Sequence, residues 1–429
     1  MIVKSFVLRR ESAKSIVNHS VDGTIIVVRP EKALINLFRA VIHSMIVDKQ
    51  QGTKDIENVK DYLDAISSNP GYQLKKDEFL EYVQDYLRKS MSYSVPVSLV
   101  EDYILAQCAY LCAQAIALDS NMQVIDGREL VVCRQESGVS NFDWTATLSE
   151  IELKCKEKSR LVIAGGYART PQGAVIGIGK GGANMMASLV ASALSADLIE
   201  FYVEGEGING IAAMTYDEAA HYCSNKTAPF PAAALWPAKK AGIPIVVKGI
   251  LHPDFKGTLI SSSVESGENK TTGAISGVVV ENDLKLVTVY GTGLMGQVGA
   301  SAAIFSALSK AGINIRFISQ TSSEYAISFA INEMDGEKVS SVIDSLMADN
   351  QLIAFDDVVA VNQKVGIVTV YGSRMKNIPG VSGKVFSLLG TAGINVIASA
   401  QGGEELSISV VVDDADVQKA KELLTKICG

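Results

Sequence analysis

The chain has 429 residues, 48% of them hydrophobic and 20% charged, and a net charge of −8. That length supports two or three domains with a large core, and the composition is that of an ordinary globular protein. The negative balance argues against nucleic acid and anionic membranes as partners. No apolar run reaches the ~18–20 residues of a membrane span, and Met1 to Arg10 lack the sustained apolar stretch of a signal peptide, so a cytoplasmic location is expected. The six cysteines form no CxxC pair and no Cys–His cluster; they read as buried thiols, and no metal site is expected.

In chain order, Met1 to Val7 and Gly23 to Val28 read as short buried strands joined by a helix around Ser12 to Val17. Glu31 to Val47 is a periodic helix, polar helical segments continue to Ser90, and Leu99 to Leu118 is an alanine-rich helix. Val124-Ile125 and Leu130-Val131-Val132 flank the turn Asp126-Gly127-Arg128, and Leu161 to Ala164 is a fully apolar strand opening onto Gly165-Gly166. The turn Gly179-Lys180-Gly181-Gly182-Ala183-Asn184 feeds a helix expected over Met185 to Ala196, and Asp197 to Val203 returns as a strand. A glycine turn at a helix N-terminus can hold phosphate, because free N–H groups and the helix dipole point at it. Tight strand-to-helix turns need glycine for purely structural reasons as well. The alternation of strands and helices predicts an α/β fold, with a mostly parallel central sheet sandwiched by helices.

From Thr288 onward a stretch occurs twice. Thr288 to Ile331 returns as Thr369 to Val412, with most landmarks 81 residues apart: Gly291 and Gly372, Gly299 and Gly380, Phe305 and Phe386, Gln320 and Gln401. Ala311-Gly312-Ile313-Asn314 returns as Ala392-Gly393-Ile394-Asn395, with a one-residue slip near Met295 and Met375. Thr288-Val289-Tyr290 suits a strand, glycines from Gly291 to Gly299 turn the chain, and Ala300 to Ala311 is a helix with Gly312 at C′. A second strand starts at Ile313, a third spans Ala326 to Ile331, and a second helix runs from Gly336 to Met347, with Ala415 to Ile427 as its later counterpart. This is a duplicated domain.

These repeats resemble the paired ACT domains of aspartokinases, above all those in the kinase half of bifunctional aspartokinase–homoserine dehydrogenases. Ile318 to Glu324 is the most specific match, and Gly402-Gly403-Glu404-Glu405 departs from it in the second copy. Upstream, Gly179 to Ala196, Met214 to Ala219, Ala241 to Ile245 and Gly257 to Ser261 resemble, in order, segments of the aspartokinase catalytic domain. The resemblance implies an amino-acid kinase fold over residues 1–263. Two ferredoxin-like ACT domains would follow over 264–429, with repeats at about 285–350 and 366–427. It implies a role in the aspartate-derived pathway to lysine, threonine and methionine, with a homodimer formed through the ACT domains and no dehydrogenase half before the end at Gly429. Lysine or threonine is the implied effector, with Asn314, Gln320, Ser323, Glu324, Asn395 and Gln401 as its contacts. An amide both donates and accepts, so it can meet ammonium or carboxylate; the two asparagines equally suit strand starts after a glycine turn. In the kinase domain the resemblance assigns catalysis to Lys4, Lys180 and Glu204, and nucleotide binding to Gly179, Gly181, Gly182, Glu206 and Lys226. ATP and Mg²⁺ are the implied cofactors where that site works.

The chain departs from the family at several of these places. Aspartokinases join two anions, so the site needs donors and cations to hold the charge. The family's Lys-Phe-Gly-Gly-Thr-Ser loop is replaced by Lys4-Ser5-Phe6-Val7-Leu8-Arg9-Arg10, without the glycines that admit phosphate. Gln107 to Tyr110 occupy the place of a substrate-binding Gly-Glu pair, and Ala183-Asn184 that of Ser-Asp. Glu204 and Glu206 keep the acidic spacing of the next motif. The nucleotide-covering Asp-Pro-Arg loop is shortened to Asn209–Ala213, and Ala228 stands at the expected lysine, two residues from Lys226. The expectation is an aspartokinase-like protein with an amino-acid-sensing ACT pair and lost or weakened catalysis. An active aspartate kinase with a divergent site and a structural dimerisation module are the alternatives.

Overall fold

β-branched and aromatic runs with little polar interruption form the first two strands, Ile2–Leu8 (β1) and Thr24–Pro30 (β2), which are buried along most of their length. The structure is a computed structural model describing residues 1–8, 23–47, 49–136, 139–157, 160–204, 208, 211–224, 228–251, 255–263, 273–291, 299–322, 325–348 and 357–428. The helix expected around Ser12 to Val17 lies outside the described residues. The chain divides into two units, Met1–Cys223 with Ala228–Asn269, and Ser224–Thr227 with Lys270–Gly429.

In the first unit β2 leads into four helices, Lys32–Val47 (α1), Lys49–Asp64 (α2), Pro70–Ser92 (α3) and Val97–Ser120 (α4). Then come Gln123–Asp126 (β3), a hairpin of Cys133–Glu136 (β4) and Val139–Phe142 (β5), and Trp144–Cys155 (α5). Arg160–Ala164 (β6) precedes a second hairpin, Tyr167–Arg169 (β7) and Val175–Gly177 (β8). Gly182–Ala193 (α6), Leu198–Val203 (β9), Ala213–Thr215 (β10), Tyr216–Tyr222 (α7), Trp236–Ala241 (α8), Ile245–Gly249 (β11) and Thr258–Ser261 (β12) complete it.

The central sheet has the order β10-β12-β11-β9-β1-β2-β6-β3, and every neighbouring pair is parallel except β11 with β12. Side chains alternate across it. Val3, Ile25, Val27, Leu161, Ile199 and Phe201 pack toward α6, whereas Phe6, Ile26, Val28, Val162 and Tyr202 pack toward α1–α4. Both faces are covered, which is why these strands read as continuous apolar runs. At the turn expected over Asp126 to Arg128, Gly127–Glu129 forms a 3₁₀ turn, Leu130 and Val131 are buried behind it, and β4 starts at Cys133. One expectation shifts. Helix α6 begins at Gly182, three residues before Met185, because Gly181 at φ +71° already caps it.

The second unit contains Gly277–Tyr290 (β13), Ala300–Lys310 (α9), Ile315–Gln320 (β14), Ala326–Asn332 (β15), Gly336–Ala348 (α10) and Asp357–Tyr371 (β16). Val381–Thr391 (α11), Ala398–Gln401 (β17), Ser407–Asp413 (β18) and Val417–Thr425 (α12) follow. The sheet order is β14-β15-β13-β16-β18-β17, antiparallel throughout. β13 and β16 run side by side from Gly277↔Tyr371 to Tyr290↔Asp357, with register shifts near Glu281 and Lys285. The later half of β13 pairs with β15 in the first repeat, while its earlier half pairs with the later half of β16, which pairs onward to β18. Each repeat therefore completes its four-stranded sheet with a strand segment from outside its own span. Two helix-covered cores result, one around Ile304, Phe329 and Ile343, the other around Val385, Val410 and Leu424. The sheet's opposite face buries Leu284, Leu286, Phe317, Ile367 and Val411. Its outer strands come together there, with Ser319 Oγ donating to Ser399 O at 3.0 Å. Matching Thr–Ser hydroxyl pairs, Thr288 with Ser328 at 3.0 Å and Thr369 with Ser409 at 2.8 Å, mark the duplication.

Candidate functional site

In open α/β sheets, ligands sit in the crevice beyond the carboxyl ends of the strands. In the first unit the glycine turn reaches that edge ahead of α6. Gly179 has φ +85° and lies in open space, exposed together with Lys180. Gly181 and Gly182 are enclosed: a Cβ on Gly181 would lie 2.0 Å from Pro231 Cδ, and one on Gly182 would lie 2.9 Å from Ile178 Cβ. Packing alone therefore requires glycine at these two positions. Helix α6 has no side-chain cap and no acidic residue in its first turn, so among the described residues no capping side chain meets its leading N–H groups. Asn184, in that first turn, is buried.

Lys4 lies inside the sheet. Its Nζ is 3.6 Å from Glu200 Oε2, and the two side chains are only 4% and 10% exposed. Lys248 Nζ donates to Glu200 Oε1 at 2.8 Å, and Tyr202 OH donates to Oε2 at 3.0 Å. Burial pulls the Lys4 pKa below its ordinary value, against the opposing charge and hydrogen bond of Glu200. Burial alone would push the Glu200 carboxyl up, but the hydrogen bond and charge of Lys248, with Lys4 and Tyr202, hold it below the usual carboxylate range. β1 continues past Lys4 as a strand to Leu8, which sets its end about 13 Å farther on.

Glu204 stands exposed just after β9. Across from it, Arg29 occupies the next-to-last position of β2. Its Nε is enclosed and makes no hydrogen bond. Burial lowers the Arg29 pKa, opposed by the charge of Glu204 and by Tyr167. Glu206 and Lys226 lie outside the described residues. Sequence reasoning missed Glu200, Lys248 and Arg29. The available signal was a charged residue within otherwise apolar strands, Leu198–Val203, Ile245–Gly249 and Thr24–Pro30, which occurs when a partner or a task is present.

In the second unit, Asn314 and Asn395 are exposed just after Gly312 and Gly393, which take φ +71° and +74°. Gln320 and Gln401 end β14 and β17, the two outer strands that the Ser319–Ser399 bond brings side by side. Gln401 Oε1 accepts from Ser382 Oγ at 3.1 Å. Ser323, Glu324 and Met295 lie outside the described residues, whereas Met375 is buried in the second repeat's core. Among the described residues, no cluster of His, Cys, Asp or Glu fits a metal ion, and no helix is long and apolar enough to cross a membrane.

The amino acid kinase family model matches residues 40–249, and the ACT domain model matches 287–345 and 368–427. The chain is 28% identical over 267 residues to the bifunctional aspartokinase/homoserine dehydrogenase of Haemophilus influenzae, covering 59% of this chain and 32% of that protein. It thus spans about a third of the length of the bifunctional relatives. Against the aspartokinase of Saccharomyces cerevisiae it is 24% identical over 411 residues, covering 85% of this chain and 76% of the relative. The structure of E. coli aspartokinase III in complex with aspartate and ADP superposes with a TM-score of 0.78 at 17% identity, covering 100% of this chain and 98% of that one. The lysine and aspartate complex of the same enzyme gives 0.73 at 17%, covering 100% and 99%. The chain is aspartokinase-like, with an amino-acid kinase domain followed by a pair of ACT domains.

Proposed function

We propose that this protein is a regulatory member of the family, in which the ACT pair binds a free amino acid, lysine or threonine, and the kinase domain has lost or weakened phosphoryl transfer. One observation carries the second half of that reading. Lys4, the cation the family resemblance sets on the phosphates, is engaged by Glu200 inside the sheet, and β1 runs on as apolar strand where a phosphate loop would begin. A lysine held that way is poorly placed to meet charge developing on a transferred phosphoryl group. For the ACT pair, support comes from the exposed amides of Gln320 and Gln401 on adjoining outer strands. The protein is expected to dimerise through this unit.

Calorimetric titration of the full chain with lysine, threonine and methionine tests the sensor, with Gln320→Ala and Gln401→Ala expected to weaken whichever binds. Coupled ADP release with Mg²⁺-ATP and aspartate tests the kinase. Turnover in the ordinary range of kinases, about 1–100 s⁻¹, rules the reading out. The exposed placements of Glu204 and Lys180 favour a second reading, an active aspartate kinase with a divergent site. That reading predicts aspartate-dependent ADP release that falls in Lys180→Ala.

A further inference from the structure

A cavity of about 220 Å³ lies in the helical layer of the first unit. Every residue lining it belongs to α1, α3, α4 or the α3–α4 connection, and none to the central sheet or the glycine turn. Its origin is local. α3 ends at Ser92, Val95 N donates to Ser90 O at 3.1 Å, Ser94 takes φ +53°, and Pro96 stands just before α4. The chain thus reverses within a few residues, and the two helix ends, with the last turns of α1, surround a space they do not fill. Ile42, Leu87 and Val100, each at most 5% exposed, form its walls, while Ile46 and Val97, 46% and 50% exposed, stand at its mouth.

Ser90 interrupts this apolar lining. It is 6% exposed, and among the described residues its side chain makes no hydrogen bond. Nearby Ser92, by contrast, donates to Arg88 O at 3.0 Å, the usual recourse of a serine in a helix. Ser5 and Thr24 also carry unpartnered hydroxyls, but those are sealed within β1 and β2. Ser90 lines the cavity, and a side chain one carbon long puts its hydroxyl at that wall. A buried hydroxyl left unmet destabilises the fold, so the position calls for a partner that occupies the space.

The lining selects that partner. A buried water typically makes about three hydrogen bonds, and Ser90 and Ser94 are the only polar side chains here. No charged residue lines the cavity, so a free amino acid or a nucleotide would bury charge with nothing to meet it. An apolar cavity of about 150 Å³ takes up benzene, so this one has room for a body of that size and a polar group besides.

We propose that the cavity binds a small uncharged molecule with an apolar body and one hydrogen-bonding group, of the class of cyclic alcohols, phenols and ketones. Burial of the body supplies the affinity, and Ser90 meets the polar group. The site is independent of phosphoryl transfer and of the ACT pair.

The test is a saturation-transfer NMR titration of the full chain with cyclohexanol, with toluene, which lacks the hydroxyl, and with cyclohexanecarboxylate, which adds a charge. Wild type, Ser90→Ala and Val97→Trp are compared, and each is also melted without probe. Wild type is expected to bind cyclohexanol and toluene saturably and the carboxylate at least tenfold more weakly. Ser90→Ala should bind cyclohexanol about fivefold more weakly, the weight of one neutral hydrogen bond, and toluene as tightly as wild type. Val97→Trp, which places an indole at the mouth, should weaken both at least tenfold. Without probe, Ser90→Ala should melt at or above wild type, since it removes an unmet hydroxyl. The proposal is overturned if wild type binds neither neutral probe, if the carboxylate binds as well as cyclohexanol, or if Val97→Trp leaves binding unchanged. Equal binding of cyclohexanol to wild type and Ser90→Ala, or a lower melting temperature in Ser90→Ala, overturns the role of the hydroxyl and with it the proposal. Self-association that Val97→Trp abolishes, without probe binding, assigns the cavity to a second copy of the chain instead.

Discussion

Replacing Glu200 with glutamine tests the buried charge cluster directly. The amide keeps the carboxylate's size; its oxygen can still accept from Lys248 while its NH2 group donates to the Tyr202 hydroxyl, so packing is preserved. The negative charge is lost, and Lys4, whose side chain is 4% exposed, loses the carboxylate that faces it in the sheet. Breaking such a pair on one side costs about 3–5 kcal/mol, which for a unit of this size lowers Tm by roughly 6–20 °C. Lys248, at 19% exposed, can turn its ammonium toward water and contributes less. The double variant Lys4→Met/Glu200→Gln is therefore expected to recover most of the loss. The pH dependence follows from the same groups. Glu200 titrates below its usual range, so its contribution is present above about pH 4.3 and lost as pH falls through the lower folded value. Lys4 is lowered, so the penalty for its charge fades as pH rises through the folded value toward about 10.4. Without Glu200 the Lys4 value falls further, and the Glu200→Gln deficit should shrink between pH 7 and 9.5. Urea unfolding of the three variants across that range provides the measurement. A Glu200→Gln protein that melts within a degree of wild type, or a deficit flat in pH, refutes the reasoning.

Gly181→Ala forces a left-handed residue, at about 1–2 kcal/mol, and drives its Cβ into Pro231, whereas Gly179→Ala meets only the backbone strain; denaturation midpoints should fall clearly further for the first. Phe329→Ala empties the centre of the first ACT core, where the ring is fully buried, and should destabilise the second unit by about 3–5 kcal/mol, read by near-UV circular dichroism and calorimetry. Thr215 caps α7 in a reciprocal capping box with Glu218, so Thr215→Ala should cost about 1 kcal/mol. Thr215→Ser should restore most of it.

The periodic segments were legible because burial on both faces of the first sheet, and on one helix-covered face of each repeat, left apolar runs and 3.6-residue spacings in the sequence. The duplication was readable for the same reason, since Gly312 and Gly393 serve identical left-handed turns. Strand partnership across long separations was not legible. Nothing local in Gly277–Tyr290 announces that its first half serves one repeat and its second half the other. The Lys4–Glu200–Lys248 cluster escaped for a similar reason: its members lie on three strands far apart in sequence and meet only through the order β11-β9-β1. The glycine turn was found, but whether packing or a ligand demands each glycine depends on Pro231 and Ile178, which only the fold brings near.

The shared strands also set an order of events for a chain emerging from synthesis. Gly277 pairs with Tyr371, 94 residues further on, and closing a loop of that length costs about 4 kcal/mol of chain entropy before any contact repays it. Contacts this non-local slow folding. Until the second repeat has been made, the segment around Val278, Val279 and Val280 has no strand to pair with, and unpaired apolar edges of this kind seed aggregation. A chain interrupted between residues 348 and 365 is thus expected to be captured by chaperones or to precipitate, even though its first repeat is nearly complete.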